Sequence, residues 1–331
     1  MSRKLTFKAL AILVAIVVIG CNRTPTSSTG SKTLTIAVIP KGTSDEFWKS
    51  VYAGSLAAAK ELAAKGINVN IVWKGPLRED DREQQIQVVE GFISQGVNGI
   101  VLAPLDERAL VRPVDEAKQA GIPTVIIDSA LQSNSTVSFV ATDNIKGGQL
   151  AAQRLGESLK GKGKILLLRY MVGSASTQDR EEGFLNELKA KYPDIQVVSD
   201  NQHAGATRDT AKGEAENLLN RFGNDVQGIF TPNESSTAGM LLALQDIKKA
   251  GKVAFVGFDT NTDFLAALRN GQMQGFVVQN PYKMGYLGVQ AMVDHLLGKP
   301  VQSRVDTGVM VITPENIDSS EVKELIKPPV A

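Results

Sequence analysis

The sequence predicts an α/β protein of two similar lobes, each a parallel sheet flanked by helices. Three observations carry this. From Thr33 onward, short apolar runs alternate with longer amphipathic stretches, the pattern of strands joined by right-handed helical crossovers. The alternation restarts after residues 137–141, dividing the body into two halves of ordinary domain size. A junction also recurs, at Gln95-Gly96-Val97-Asn98-Gly99-Ile100 and at Asn224-Asp225-Val226-Gln227-Gly228-Ile229. Each copy follows an amphipathic helix and leads into a short strand and then a proline, Pro104 or Pro232.

Taken in order, residues 34–39 (LTIAVI) form a strand and 45–65 a helix. Residues 69–73 form the next strand, and 80–95 a helix with Ile86, Val89 and Ile93 at helical spacing. A strand over 99–102, a helix over 109–120 and a strand over 124–127 follow, with Gly121 ending the helix ahead of Pro123. After a strand over 137–141, the second half reads helix 144–160, strand 164–169, helix 178–191 and strand 196–199. Helices over 208–221 and 235–249 separate strands at 228–231 and 253–257, and 263–270, 275–279 and 281–297 complete the series. Strands this short and continuously apolar suit burial on both faces.

Composition narrows the function. The chain has 331 residues, of which 43% are hydrophobic, 21% charged and 5% aromatic, an ordinary globular balance. Its 36 basic and 35 acidic residues leave a net charge of +1, without the basic excess that a nucleic-acid partner requires. The first residues read as a targeting signal, the alternative being an uncleaved N-terminal anchor with an incidental cysteine. Arg3, Lys4 and Lys8 precede an apolar run from Ala9 to Gly20, shorter than the ~20 residues a membrane helix needs and fitting a secretory h-region. The run closes on Val18-Ile19-Gly20-Cys21, which resembles the lipobox of bacterial lipoproteins. That resemblance implies lipidation of Cys21, whose thiolate is the nucleophile, and an exported protein anchored to a membrane at the periplasm or cell surface. Residues 1–21 are then the signal, and 22–32 (NRTPTSSTGSK) a flexible tether. Cys21 is the sole cysteine, so no disulfide forms within the body.

Polar residues cluster just beyond each strand: Lys41 to Asp45, Lys74 to Arg78, Asp106-Glu107, Asp128-Ser129, Tyr170 to Ser176, Asp200 to Gln202, Asn233 to Ser235, Asp259 to Asn261 and Gln279-Asn280. In open α/β sheets, ligands bind beyond the carboxyl ends of the strands, so two facing lobes would make one polar cleft. Helix capping accounts for Ser44, Ser235 and Thr262. It explains little of Arg180, Gln279 or Asp128.

Several segments together resemble the sugar-binding proteins of ABC importers, of the ribose-binding type I periplasmic class. They are Asp45-Glu46-Phe47-Trp48, Gly121-Ile122-Pro123 with Val125 to Asp128, and Asp143-Asn144 with Gly147-Gly148. Gly173 to Ser176 with Arg180 and Gly183-Phe184, Asn233-Glu234, Val256 to Asp259, and Gln279 with Pro281 complete the set. The resemblance covers Thr33 to about Thr313. It implies a three-strand hinge near Thr142-Asp143, Gln279-Asn280 and Asp306 to Gly308. The N-terminal lobe would be residues 33–142 plus 280–306, and the C-terminal lobe 143–279 plus 307–331.

By position, the resemblance assigns ligand binding to Asp45, Phe47, Trp48, Asp128, Arg180, Asn233, Asp259 and Gln279. The two aromatic rings would stack on apolar sugar faces, with the core as the alternative place for Trp48. The aspartates would accept pairs of hydroxyls, Arg180 would present its fork, and the amides would match groups that both donate and accept. Truncating Arg180 or Asp128 would then weaken binding at little cost in stability. Asp45 stands where the family often has asparagine. Ser129 replaces an arginine that ribose binders carry, Ala103 an asparagine, and Ala204-Gly205-Ala206-Thr207 a segment that usually holds an aromatic residue. Ribose is therefore not assigned.

The implied partners are a small-molecule sugar and a membrane ABC permease with its ATPase, the body acting as a monomer. The alternative is a sensor presenting sugar to a chemoreceptor or histidine kinase. A repressor of related fold would need a helix-turn-helix module where the lipobox stands. No enzyme and no cofactor is expected: the chain lacks a dinucleotide glycine fingerprint and a triad order, and His203 and His295 have no companions at metal spacing.

Overall fold

The computed structural model describes Met1 and residues 33–326; the expected signal segment, Cys21 and the expected tether lie outside the described residues. The first sheet is built from Leu34–Ile39 (β1), Val69–Trp73 (β2), Gly99–Leu102 (β3), Thr124–Ile127 (β4) and Ser138–Ala141 (β5), with helices Glu46–Ala64 (α1), Arg82–Gln95 (α2) and Val111–Gln119 (α3) between them. The second repeats the plan. Asn144–Ser158 (α4) leads to Lys162–Arg169 (β6), followed by Ala175–Lys191 (α5), Asp194–His203 (β7), Arg208–Phe222 (α6) and Gly228–Phe230 (β8). Glu234–Asp246 (α7), Ala254–Phe258 (β9), Thr262–Arg269 (α8) and Gly275–Gln279 (β10) complete it. The chain then adds Pro281–Leu296 (α9), Arg304–Asp306 (β11), Val309–Ile312 (β12) and Ser320–Ile326 (α10).

The two sheets share one topology. Their orders are β11-β5-β4-β3-β1-β2 and β12-β10-β9-β8-β6-β7, so the first strand of each lobe lies between its second and third. Apolar side chains fill both faces of each sheet. Val38, Trp48, Val101 and Met292 lie on one face of the first sheet, and Ile39, Phe92, Leu102 and Val114 on the other. Phe255, Phe264 and Phe276 face Phe184, Phe230 and Phe258 across the second in the same way.

The chain passes from one sheet to the other between β5 and β6, between β10 and β11, and between β11 and β12. Arg304 ties two of these passages together, donating to the carbonyls of Ala141 and Thr142 at 2.9 Å each while its guanidinium lies over the Phe139 ring. Gly308, at φ 87°, makes the turn between β11 and β12.

The structure departs from the sequence reading in three places. β12 runs antiparallel to β10, Gln279 opposite Val309, where parallel sheets were expected. The cause is topological: β10 ends beside the passages and β12 begins there, so β12 must run the other way. β7 extends through His203, absorbing Asp200 to Gln202, which read as cleft residues. It is an edge strand paired with β6 alone, and an edge tolerates such polar side chains. Third, Ser44, Ser235 and Thr262 are not the helix caps. Asn233 and Asn261 hold the cap positions of α7 and α8, accepting from the backbone N–H of Ser236 and Phe264. Asp45 holds that of α1 and makes no side-chain cap bond.

Candidate functional site

The carboxyl ends of the strands in both lobes converge on one narrow cavity of about 30 Å³. All eight residues singled out in the sequence line it: Asp45, Phe47, Trp48, Asp128, Arg180, Asn233, Asp259 and Gln279. Lys41, Glu79, Tyr170 and Glu234 join them.

Asp128 follows β4 and Asp259 follows β9, the fourth strand of each lobe, and both adopt left-handed backbone at φ 62° and 66°. Strain of this kind in a non-glycine residue persists where surroundings enforce it, and it concentrates at ligand sites. The turn aims each carboxylate off the sheet end into the cavity. Asp128 forms an ion pair with Lys41 at 2.8 Å. Asp259 accepts from the Gln279 amide at 2.7 Å and from the Glu234 backbone N–H at 3.0 Å. Burial raises the Asp259 carboxyl, opposed by the charge of Arg180 and the Gln279 hydrogen bond.

Arg180 projects from α5, 2% exposed. Its Nε donates to Asn144 Oδ1 and its Nη1 to the Pro232 carbonyl, both at 2.9 Å, and its guanidinium lies 4.0 Å over the Phe258 ring. Among the described residues, neither the buried Nη2 nor the buried Oε1 of Gln279 has a hydrogen-bond partner. One donor and one acceptor thus stand buried and unused, in residues that line the same cavity. Asn233 is more committed than the sequence suggested. Its Oδ1 caps α7 and its Nδ2 donates to Ser235 Oγ.

The aromatic pair opens α1. Phe47 meets Trp48 edge-on, ring centroids 4.8 Å apart. Trp48 belongs both to the core and to the cavity wall, and its Nε1 donates to Glu79 Oε1 at 2.5 Å. Glu79 also accepts from the Tyr170 hydroxyl of the other lobe. Reciprocally, Glu234 accepts from the Phe47 backbone N–H at 3.4 Å. Further contacts join the lobes: Lys41 donates to Ser176 Oγ at 3.2 Å, the Ser176 backbone N–H to Ser129 Oγ at 3.1 Å, and that of Glu107 to the Gly173 carbonyl at 2.9 Å. The cleft is shut.

Burial pushes the Glu79 carboxyl up to about 7, with Lys41 opposing and Asp45 reinforcing the shift. It pushes Glu234 up to about 8, reinforced by Asp45 and Asp259. Groups raised in the closed body stabilise it fully below the ordinary value of 4.5. That contribution is lost as pH rises through 7 and then 8. The melting temperature of the empty protein should therefore fall by roughly 5 °C between about pH 5 and about pH 8.5. The double variant Glu79→Gln/Glu234→Gln should flatten that slope in a calorimetric scan. An equally steep slope in the variant would assign it to other groups.

Lys41, Tyr170 and Glu234 lie in strand-end stretches that the sequence marks, though none is among the eight ligand-binding residues the resemblance assigns. Glu79 lies one position past the marked Lys74 to Arg78 stretch, and no local signal distinguishes it from Asp80 or Asp81. No group of three or more His, Cys, Asp or Glu side chains placed to hold a metal ion occurs among the described residues.

Residues 36–300 match the sequence profile of a periplasmic binding protein domain. The ribose import binding protein of Bacillus subtilis is 31% identical over 87% of this chain and 90% of its own length. Two solved structures are similar throughout. A carbohydrate transporter solute-binding protein from Agrobacterium radiobacter, in complex with D-arabinose, has a TM-score of 0.83 at 32% identity, covering 89% of this chain and 99% of that one. An ABC transporter solute-binding protein from Agrobacterium vitis with bound D-fucose has a TM-score of 0.83 at 35% identity, covering 88% and 100%.

Proposed function

The chain belongs to the periplasmic binding protein family, and on that premise we propose that it is the substrate-binding component of a carbohydrate ABC importer. It captures a monosaccharide or related polyol between its lobes and delivers it to a membrane permease driven by an ATPase. The observation that carries this reading is the cavity itself. Its polar groups come from both lobes, and Nη2 of Arg180 and Oε1 of Gln279 are buried there without partners among the described residues. A buried polar group without a partner costs free energy, and a hydroxylated ligand, both donor and acceptor, relieves the two together.

Closure follows from the same geometry. A ligand held by Asp128 on one lobe and by Arg180 and Asp259 on the other stabilises the arrangement in which both touch it, so it shifts the population toward the closed form. Three chain passages between the lobes confine the motion to a hinge. We extend the proposal to the setting: an exported, monomeric body held at a membrane through lipidated Cys21 and the 22–32 tether, within reach of the permease. The relatives' names as binding proteins support a role without catalysis.

Isothermal titration against a panel of pentoses, hexoses and polyols checks the central claim. At least one should bind at micromolar affinity or better, with a rise in melting temperature of several degrees. A folded protein that binds none of them would refute the reading.

A further inference from the structure

Seven charged side chains line the cavity, and they do not balance. Lys41 and Arg180 face Asp45, Glu79, Asp128, Glu234 and Asp259. Lys41 is consumed by its ion pair with Asp128. Arg180 stands nearest the two strand-end aspartates, whose charges act on it most strongly. Three carboxylates remain, and the structure gathers them about the first turn of α1. Asp45 opens that turn, Glu234 accepts from the Phe47 backbone N–H, and Glu79 accepts from the Trp48 indole. Among the described residues none of the three has a cation within ion-pairing distance. The cations that bear on them from farther away are Lys41 on Glu79, and Arg208 and Lys49 on Asp45, while Glu234 feels only the further negative charge of Asp259.

Asp45 is informative in a second way. An aspartate at a helix N-cap ordinarily accepts from the second or third backbone N–H of the helix. Here it makes no such bond, and the side chain lines the cavity instead. The fixed partners of Glu79 and Glu234 are neutral donors: indole, phenol, amide and backbone N–H. Each carboxylate oxygen can accept twice, so capacity remains.

Resting on the sugar-capture reading, we propose that the ligand is an amino sugar, its protonated amine held among Asp45, Glu79 and Glu234 while its hydroxyls engage Arg180, Gln279 and the two strand-end aspartates. An ammonium donates three hydrogen bonds and accepts none, so it complements a subsite made of acceptors. It also supplies the positive charge beside which these partly buried carboxyls ionise. A hydroxyl at the same place brings no charge and leaves its own acceptor facing carboxylate oxygens. Nη2 of Arg180 and Oε1 of Gln279, buried and unpartnered, point independently to a ligand in this cavity and take its neutral part.

Calorimetric titration near pH 7 tests this with D-glucosamine, D-galactosamine and D-mannosamine, each beside its parent hexose and its N-acetyl derivative. At least one amino sugar should bind roughly tenfold or more tightly than both its counterparts, as charge-assisted bonds exceed neutral ones. In Asp45→Asn, at the partly exposed start of α1, and in Glu234→Gln, the ratio of amino-sugar to parent affinity should fall toward one. Equal or tighter binding of the neutral parent or the N-acetyl form overturns the proposal, and so does a ratio unchanged in both variants. If a neutral sugar binds and no amino sugar does, this inference fails while sugar capture stands. If nothing in this panel or the wider one binds, both fall.

Discussion

Arg180→Ala should reduce ligand affinity by roughly 100-fold or more and lower stability by about 3–5 kcal/mol. The two effects share one cause. Among the described residues that line the cavity, the guanidinium is the one cation outside an ion pair, and Asp259 feels it as the strongest influence opposing its burial. Removing one partner of a buried charge constellation leaves the others uncompensated, which costs more than the interaction itself contributes. The truncation also strips Asn144 Oδ1 and the Pro232 carbonyl of donors and uncovers the Phe258 face. Sequence reasoning foresaw loss of binding at little cost in stability. The structure corrects the second half, because a side chain 2% exposed that donates to two elements of its own lobe is also structural. Arg180→Lys separates the roles. It keeps a charge but loses the planar fork, so it should recover part of the stability and little of the binding. Titration calorimetry and thermal unfolding on the same samples check both. A fully stable Arg180→Ala protein with weakened binding would return the residue to a purely ligand-facing role.

Much of this site was legible because strand ends are legible. A short apolar run that stops at a polar residue marks the edge of a sheet, and in an α/β fold that edge is where ligands sit. Asp128 and Asp259 could be read from Val125-Ile126-Ile127-Asp128 and Val256-Gly257-Phe258-Asp259, and the structure places both at equivalent turns in two sheets of identical order. Glu79 could not be read this way. It lies in a loop among acidic neighbours, and only contact with Trp48 and Tyr170 distinguishes it. Nor could the ion pair of Lys41 with Asp128, whose members follow different strands, β1 and β4. β11 and β12 escaped for another reason. Three and four residues long, they are too brief for alternation to show, and pairing defines them rather than composition.

Gly148→Ala should destabilise the protein by about 3 kcal/mol and weaken ligand binding, although the residue does not line the cavity. A methyl group there would lie 2.0 Å from the Arg180 carbonyl oxygen and 2.7 Å from the Phe184 backbone nitrogen. These are main-chain atoms, with no side-chain rotamer to give way. At Gly183, on the facing helix, a methyl group would lie 2.2 Å from the Ile145 carbonyl oxygen. α4 and α5 therefore cross with their backbones in contact, and only glycine at both positions permits it. Overpacking a tight contact costs about 1–3 kcal/mol and sometimes more, and here relief requires moving α5 itself. The helix that moves carries Arg180, so its fork would leave Asn144 and Pro232 and enter the cavity at a different angle. Gly213→Ala is the control. That glycine is exposed within α6, and a methyl group there meets nothing within 4 Å. Helix propensity should then raise stability by roughly 0.5–1 kcal/mol and leave binding alone. Chemical denaturation of both variants reads the contrast. If Gly148→Ala matched Gly213→Ala in stability, the crossing would not be under backbone contact, and the Gly147-Gly148 step that helped reveal the fold would need a different physical reason.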